Sequence, residues 1–497
     1  MSATAPREVR GANGSERDIR DLPGPPGLPI LGNLLQVKAS RLHLVAEEWS
    51  RKYGDYFRFR LGRRHFLVIK NPEAIASVLR DRPEGFQRTS NLNRIAKEMG
   101  FDGLFTVNGE QWRRQRPMVM AGFGPAHVKS YFPALVRITQ RFAGRWQRAA
   151  AAGERIDLQA DLMRYTVDVT AGLAFGVDIN TLESDREVIQ SHLDKVFPAL
   201  FRRLLSQFPY WRWFKLPADR TLAGHLRELH RAVEGFIAMA RSRMEGDPSL
   251  RARPANLIEA MIAARDIEGS GLHDADVAGN VLTMLLAGED TTANTLAWMI
   301  YLLKRHPKAL QRARDEVRTV IGAQGLPTQY EQLSQLAFAE ACAHETMRLK
   351  PVAPFLVKQA ARDSVVAGIK IPAGQVVMLL MRPAATDERH FPDAQAFDPA
   401  RWLADAAPGR SASSAKRVAM PFGAGPRLCP GRYLAMLEMK MVIAMLLGSF
   451  ELESVGTADG GEPREHLAFT MAPMGLRMRL QPRASKNGDS HHFRQSS

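Results

Sequence analysis

The sequence predicts a mainly α-helical protein with small β-sheet regions, and three observations carry that prediction. From roughly residue 107 to 350, apolar side chains recur at spacings of three and four between breaks at proline or glycine, which is the pattern of packed helices. Two short alternating runs, "YFRFRLG" and "RHFLVIK", read as a β-hairpin centred on Gly62 to Arg64. The run "YLAMLEMKMVIAMLLGSF" is apolar enough to be a core helix, and it follows directly on a loop crowded with glycine and proline.

Taken in order, residues 1–22 and 481–497 are polar and charged, so both read as disordered tails bracketing one folded domain over 23–480. The proline-rich entry "LPGPPGLPILGN" precedes the hairpin, and "LPILGNLLQ" is apolar enough to touch a membrane surface weakly. "IPAGQVVMLL" returns the chain to strand, and no internal repeat is present. A chain of 497 residues, 45% hydrophobic, buries a substantial core. Its formal net charge of +16 favours acidic partners or anionic surfaces. No zinc-finger spacing, basic-zipper heptad or aromatic RNA-binding signature accompanies that charge, so nucleic acid is set aside. Two cysteines, Cys342 and Cys429, cannot build a disulfide framework, and a reducing cytoplasm fits them. With neither an apolar leader at the N-terminus nor a segment near it long enough to span a bilayer, the expectation is a cytoplasmic monomer without a transmembrane segment.

Chemistry concentrates in "FGAGPRLCPG", residues 422 to 431. A cysteine just before a core helix lies near amide N–H groups and the positive end of the helix dipole, which favours thiolate, and thiolates bind metals or attack. The plainer reading is a small core residue. A core residue does not need glycines that let backbone approach closely, nor Arg427 two positions before the sulfur; a flat anionic cofactor suits both. Phe422, Gly425, Arg427, Cys429 and Gly431 together fill the pattern F-x-x-G-x-R-x-C-x-G, which resembles the haem loop of the cytochrome P-450 family. The resemblance implies the cytochrome P-450 fold, with haem b buried between a long central helix and the cysteine loop. It makes Cys429 the metal ligand, Phe422 a packing residue on the ligand side, and Arg427 a partner of a haem propionate.

Three further motifs follow the same family. In "ETMR", Glu345 and Arg348 stand one helical turn apart, a spacing that on its own is usually a solvated ion pair; the resemblance adds Arg401 of "FDPARW" to complete a buried network. "LLAGEDTTANTLAW", residues 285 to 298, brings Gly288 and a run of polar residues into an otherwise apolar helix, an inconsistency of the kind found at functional sites. For Glu289 alone an exposed polar face is sufficient. "AGEDTT" resembles the family's oxygen-activation segment and implies Asp290 and Thr291 as the acid and alcohol that relay protons to dioxygen. In "GEQWRRQRPMV", Trp112 and Arg116 lie four apart on one helical face, and family members use such a pair to hold a propionate. Where many relatives carry a histidine before "FPD", this chain has Ala385.

The implied activity is that of a haem-thiolate monooxygenase that activates O2 and hydroxylates or epoxidises an apolar small molecule: a fatty acid, terpenoid, steroid or aromatic. A peroxide-driven or dehydrating haem-thiolate enzyme and a sensor without turnover are the alternatives, and the acid and alcohol pair weighs against both. No flavin, iron–sulfur or dinucleotide-binding pattern is present, so NAD(P)H acts only indirectly, through a separate ferredoxin or flavodoxin with its reductase. Arg113, Arg114, Arg432 and Lys440 are candidates for a basic docking face. Pocket positions implied by the family are Phe105, Ala287, Val352, Phe355 and Met471, and Arg63 is either a carboxylate anchor or a solvated turn residue. "CAHE", with Cys342 and His344, reads as packing rather than metal binding, and His491 and His492 in the polar tail are unlike ligands.

Overall fold

The computed structural model describes residues 16–184, 189–322, 325–403 and 412–483. Helix Asp274–Arg305, 32 residues, runs through the core as the central helix and is buried over most of its length. Against it lies helix Leu158–Phe175, and the two approach closely: Thr166 Oγ1 donates to the Glu289 carbonyl at 2.9 Å, and Gln159 Nε2 donates to Asn294 Oδ1 at 2.7 Å. Gly288 permits that approach, because a Cβ there would lie 2.3 Å from Thr170 Oγ1. Helices Ala337–Leu349 and Arg432–Ser449 complete the same core.

The hairpin forms as expected. Tyr56–Leu61 pairs antiparallel with Arg64–Ile69, leaving Gly62 and Arg63 as the turn, with Gly62 at φ 59°. It is one edge of a five-stranded sheet that continues through Val376–Leu380, paired parallel to Arg64–Ile69, and then Phe355–Ala360 and Phe86–Gln87. The sheet covers a smaller apolar core with helix Pro72–Arg80, whose outer end meets the cysteine loop.

The ends of the domain differ from the expected bounds by a few residues. Within the stretch 1–22, Arg17–Asp18 pair parallel with Ile369–Lys370, and Leu22 is buried. At the other end, strand Arg477–Pro482 pairs with Phe450–Gly456 and carries the chain past 480. His491 and His492 lie outside the described residues. Among the described residues no helix is long and apolar enough to cross a membrane.

Candidate active site

The cysteine loop is pressed against helix Pro72–Arg80. Gly425 has φ 72°, and a Cβ on it would lie 2.5 Å from the Leu79 carbonyl oxygen and 2.7 Å from Arg80 Cα, so no other residue fits. The loop closes through Leu428 N–H to Gly425 O at 3.0 Å and Cys429 N–H to Phe422 O at 3.1 Å. Helix Arg432–Ser449 starts immediately after, with Ala435 N–H on Gly431 O at 2.9 Å. Two guanidiniums brace the loop: Arg116 donates to Leu428 O at 2.7 Å and Arg432 to Cys429 O at 3.3 Å. Burial pushes the Cys429 thiol up, while the Gly431 amide, Arg116 and Arg432 act in the opposite sense and favour thiolate.

Beside the loop is a group of buried and half-buried cations without anions among the described residues. Arg427 lies 4.7 Å from the Trp112 ring centre and donates Nη2 to Val107 O at 2.7 Å, which leaves its Nε and Nη1 buried with no partner. Arg82, Arg88, Arg116 and Lys358 surround it. Lys358 is 0% exposed, and its ammonium meets only the Val357 carbonyl at 3.2 Å. Burial, reinforced by their mutual repulsion, holds Arg82, Arg88 and Arg427 down to about 9 and Lys358 well below the usual lysine range. Isolated buried charge is among the most expensive arrangements a protein can adopt. Among the described residues no carboxylate offsets these five, so the arrangement fits a ligand that brings its own negative charge. The two propionates of haem, beside a cysteine free to ligate iron, match that demand.

The central helix supplies a third component. Ala287 is exposed and Gly288, Asp290 and Thr291 half-buried, although the helix on either side, 281–286 and 292–303, is buried, so open space inside the fold reaches the helix at this turn. Thr291 Oγ1 donates to Ala287 O at 2.8 Å. Asp290 receives hydrogen bonds from Asn294 Nδ2 at 2.8 Å and from the Thr470 hydroxyl, and burial pushes its carboxyl up. Nearby, Phe197 stacks on Phe469 with ring centres 4.8 Å apart, and Phe105 meets the same ring edge-on at 5.9 Å. Phe469 holds φ 90°, a left-handed conformation unusual for a bulky residue.

A family model described as Cytochrome P450 matches residues 22–478. The chain belongs to the cytochrome P450 family. It is similar to a pentalenene oxygenase of Streptomyces avermitilis, 27% identical over 92% of this chain and 97% of that protein. A thromboxane-A synthase of Rattus norvegicus is 26% identical over 86% and 85%. A self-sufficient cytochrome P450 monooxygenase of Aspergillus niger is 27% identical over 93% of this chain but only 43% of its own length. The chain is thus an oxidoreductase of the monooxygenase class, and its family is one that uses haem with a cysteine thiolate, and O2.

Elsewhere in this P450, Glu345, Arg348 and Arg401 meet as the motifs imply. Arg348 grips Glu345 with two bonds of 2.7 and 2.8 Å, and Arg401 Nε reaches the same carboxylate at 3.0 Å. Trp402 Nε1 at 2.8 Å and the Asp398 amide at 2.8 Å satisfy the remaining lone pairs. Arg348 also donates to Ala385 O at 2.7 Å, so this position serves the network through its backbone.

Several sequence expectations are revised. Glu289 is 3% exposed rather than on a polar face: burial and the neighbouring Asp194 carboxyl push it far up. Met471 is wholly buried, though its N–H bonds Val352 O at 2.8 Å and so joins two expected pocket segments; Phe469, two residues earlier, is the half-buried one. Val352 and Phe355 are half-buried. Of the candidate docking cations, Arg113 pairs with Glu84 and Glu110, Arg114 with Glu110, and Lys440, 9% exposed, with Glu340. Arg63 is exposed at the hairpin turn. Cys342 is buried and His344 stacks on Trp402 at 5.0 Å, so "CAHE" packs, and no metal-binding cluster occurs among the described residues. Arg82, Arg88, Lys358 and Phe469 are additions that no motif pointed out, and Trp402, beside Arg401 in "FDPARW", was not singled out.

Proposed function

We propose that this P450 hydroxylates or epoxidises a neutral, apolar small molecule, with electrons delivered by a separate partner protein. The observation that carries the reading is the group of buried Arg82 and Lys358 with half-buried Arg88, Arg116 and Arg427, uncompensated by carboxylate among the described residues and set beside the Cys429 loop. In this reading Cys429 ligates haem iron, Arg116, Lys358 and Arg427 hold the propionates with Trp112, and Phe422 with Gly425 and Gly431 shapes the loop. Haem bound there supplies dioxygen binding and its reductive activation. The chain's part is then proton delivery: burial pushes the Asp290 carboxyl up, towards its protonated form, and with the adjacent Thr291 hydroxyl it forms a relay to the open space beside Ala287.

Support for a neutral substrate comes from the rings of Phe105, Phe197 and Phe469, which make that space aromatic. Arg88 lies 4.1 Å over the Phe105 ring but bonds Phe105 O and belongs to the cation group, so it is no free carboxylate anchor. Pentalenene, in the name of one relative, is an apolar substrate of the same character. For the partner, a ferredoxin or flavodoxin, the favoured face is the groove behind the cysteine loop, where Phe422, Leu428, Arg432 and Tyr433 meet Lys416. Lys416→Glu with Arg417→Glu should slow reduction severalfold at low salt and leave haem content unchanged; equal rates would move the docking face elsewhere.

The deciding measurement is the absorption spectrum of the reduced, carbon-monoxide-bound protein beside Cys429→Ser. Thiolate ligation shifts the main haem band strongly to the red. A red-shifted band abolished in the variant is the expected result; a histidine-type band in the wild type would overturn the ligand assignment.

A further inference from the structure

Both members of the acid and alcohol pair are occupied in this structure. The Thr291 hydroxyl donates to Ala287 O, and each oxygen of the Asp290 carboxyl accepts from a side chain: Oδ1 from Asn294 Nδ2 at 2.8 Å, and Oδ2 from the Thr470 hydroxyl. Asn294 is buried one turn along the same helix, and its own Oδ1 accepts from Gln159 Nε2 at 2.7 Å, which fixes the amide with its NH2 towards the acid. That grip is built into two packed helices. Thr470 comes from a different element, 180 residues further along the chain.

Thr470 opens strand Thr470–Met474, which pairs antiparallel with Arg464–Ala468, and Phe469 alone connects the two. So tight a connection holds Phe469 at φ 90°, a strained conformation for a bulky side chain. The hairpin is fastened on either side of this tip. Glu465 accepts from Arg382 at 2.9 Å and from Lys350 at 2.7 Å, and Met471 N–H bonds Val352 O at 2.8 Å. The tip itself rests on its ring, against which Phe197 stacks and Phe105 sets its edge. An apolar guest seated among these three rings presses on Phe469, and the displacement passes to the adjoining Thr470 rather than along the fastened strands.

We propose that Thr470 is a positioning residue that latches Asp290, and that an apolar guest pressing on Phe469 withdraws its hydroxyl and frees the acid to act with Thr291. The inference rests on the reading of Asp290 as the proton donor and adds what controls it. Asn294, backed by Gln159, keeps its hold, so the released carboxyl turns about one fixed oxygen. Proton delivery is thereby confined to the occupied pocket, and reducing equivalents are not consumed without substrate.

The electrostatics run in the same direction. Burial pushes the Asp290 carboxyl up, and the Thr470 and Asn294 donors pull it back towards the ionised form. Withdrawing Thr470 removes one of those donors and moves the acid towards its protonated, proton-donating state. The acids facing it are Glu289 on its own helix and Asp194 from the segment before helix Val196–Leu205, and neither changes in the variants below.

The test reads the Asp290 carboxyl itself. In the haem-loaded full chain, the infrared band of the protonated acid, assigned by its loss in Asp290→Asn, is followed against pH. Thr470→Val should move its midpoint up by about one pH unit, the shift expected when one hydrogen bond to a charged group is lost. Phe469→Gly should move it the same way by less, with no further shift when added to Thr470→Val. Thr470→Ser keeps the hydroxyl and should restore the wild-type midpoint. The second readout is reoxidation of the dithionite-reduced protein by O2, expected to be severalfold faster in Thr470→Val, slower in Asp290→Asn and equally slow in the double variant. An unchanged midpoint in Thr470→Val, or a serine variant that behaves as valine does, overturns the latch. A shifted midpoint together with reoxidation untouched by Asp290→Asn overturns the donor reading instead, because the contact then exists without a proton to control.

Discussion

Two groups of charges inside this P450, one wholly buried and one partly so, are arranged in opposite ways. Behind the cysteine loop, Arg348 and Arg401 converge on the single carboxylate of Glu345, and every remaining hydrogen-bonding position is taken by Trp402, the Asp398 amide or a backbone carbonyl. Beside the loop, Arg82, Arg88, Arg116, Lys358 and Arg427 share one region with no carboxylate, and two nitrogens of Arg427 have no partner at all. The first group is complete within the chain and so acts structurally: it fastens residues 385–401 to helix Ala337–Leu349. The second is incomplete, and what would complete it must come from outside. Buried charge alone does not distinguish structure from binding; the presence or absence of its counter-charge does.

The sharpest way to break this comparison is to make the first group incomplete. Glu345→Gln leaves two buried guanidiniums facing a neutral amide, and a loss of about 3–5 kcal/mol follows from stranding buried charge in this way. Little folded, haem-loaded protein should be recovered; normal yield with an unchanged denaturation midpoint would show that the network carries no structural load.

The second group predicts a divided outcome, smaller in size. Lys358→Met removes a buried cation that has no carboxylate partner among the described residues and only the Val357 carbonyl as acceptor. Haem-free protein should therefore gain stability or hold it, while the haem-loaded form should release haem to a scavenger protein roughly 10- to 100-fold faster, since a hydrogen bond to a charged group contributes about 1.5–3 kcal/mol. Arg427→Leu should behave in the same way. If both forms lose stability equally, the cations are structural and the contrast with Glu345 collapses.

How much of this was visible in one dimension follows from the same contrast. The cysteine loop was legible because glycine, arginine and cysteine fall within ten residues: the glycines pointed to close backbone approach, which Gly425 at φ 72° makes against the Leu79 carbonyl, a contact only the fold supplies. Glu345 and Arg348 were legible as neighbours on one turn. Lys358, Arg82 and Arg88 were not, because an isolated lysine or arginine in a strand or loop is ordinarily solvated, and only the fold reveals that these lie together and buried. Phe469 hid for a related reason: its left-handed backbone is set by the turn between Arg464–Ala468 and Thr470–Met474, not by its own preference. Glu289 was misread because its helix alternates apolar and polar faces, and nothing local announces the Asp194 carboxyl that meets it.

Glu438 sharpens the contrast by showing a third solution to buried charge. It lies 1% exposed on helix Arg432–Ser449, its Oε1 has no partner, and burial pushes its carboxyl up to about 8, with only the Thr292 hydroxyl pulling back. Rather than finding a cation, it stays protonated. The folded state then holds a proton that the unfolded chain, with an ordinary carboxyl near 4.5, gives up. The slope of stability with pH follows the difference in bound protons, so Glu438 makes stability fall as pH rises through the window from about 4.5 to about 8. His344, held down to about 4 by burial, acts in the opposite sense up to its usual 6.5, which leaves the interval above 6.5 cleanest for the carboxyl. Glu438→Gln keeps the shape and removes the titration, so between pH 6.5 and 8 the variant should escape a decline on the order of 2 kcal/mol, at 1.4 kcal/mol per pH unit. Parallel denaturation curves of the two proteins across that interval would mean that Glu438 is ionised in the fold and must have found a positive partner after all.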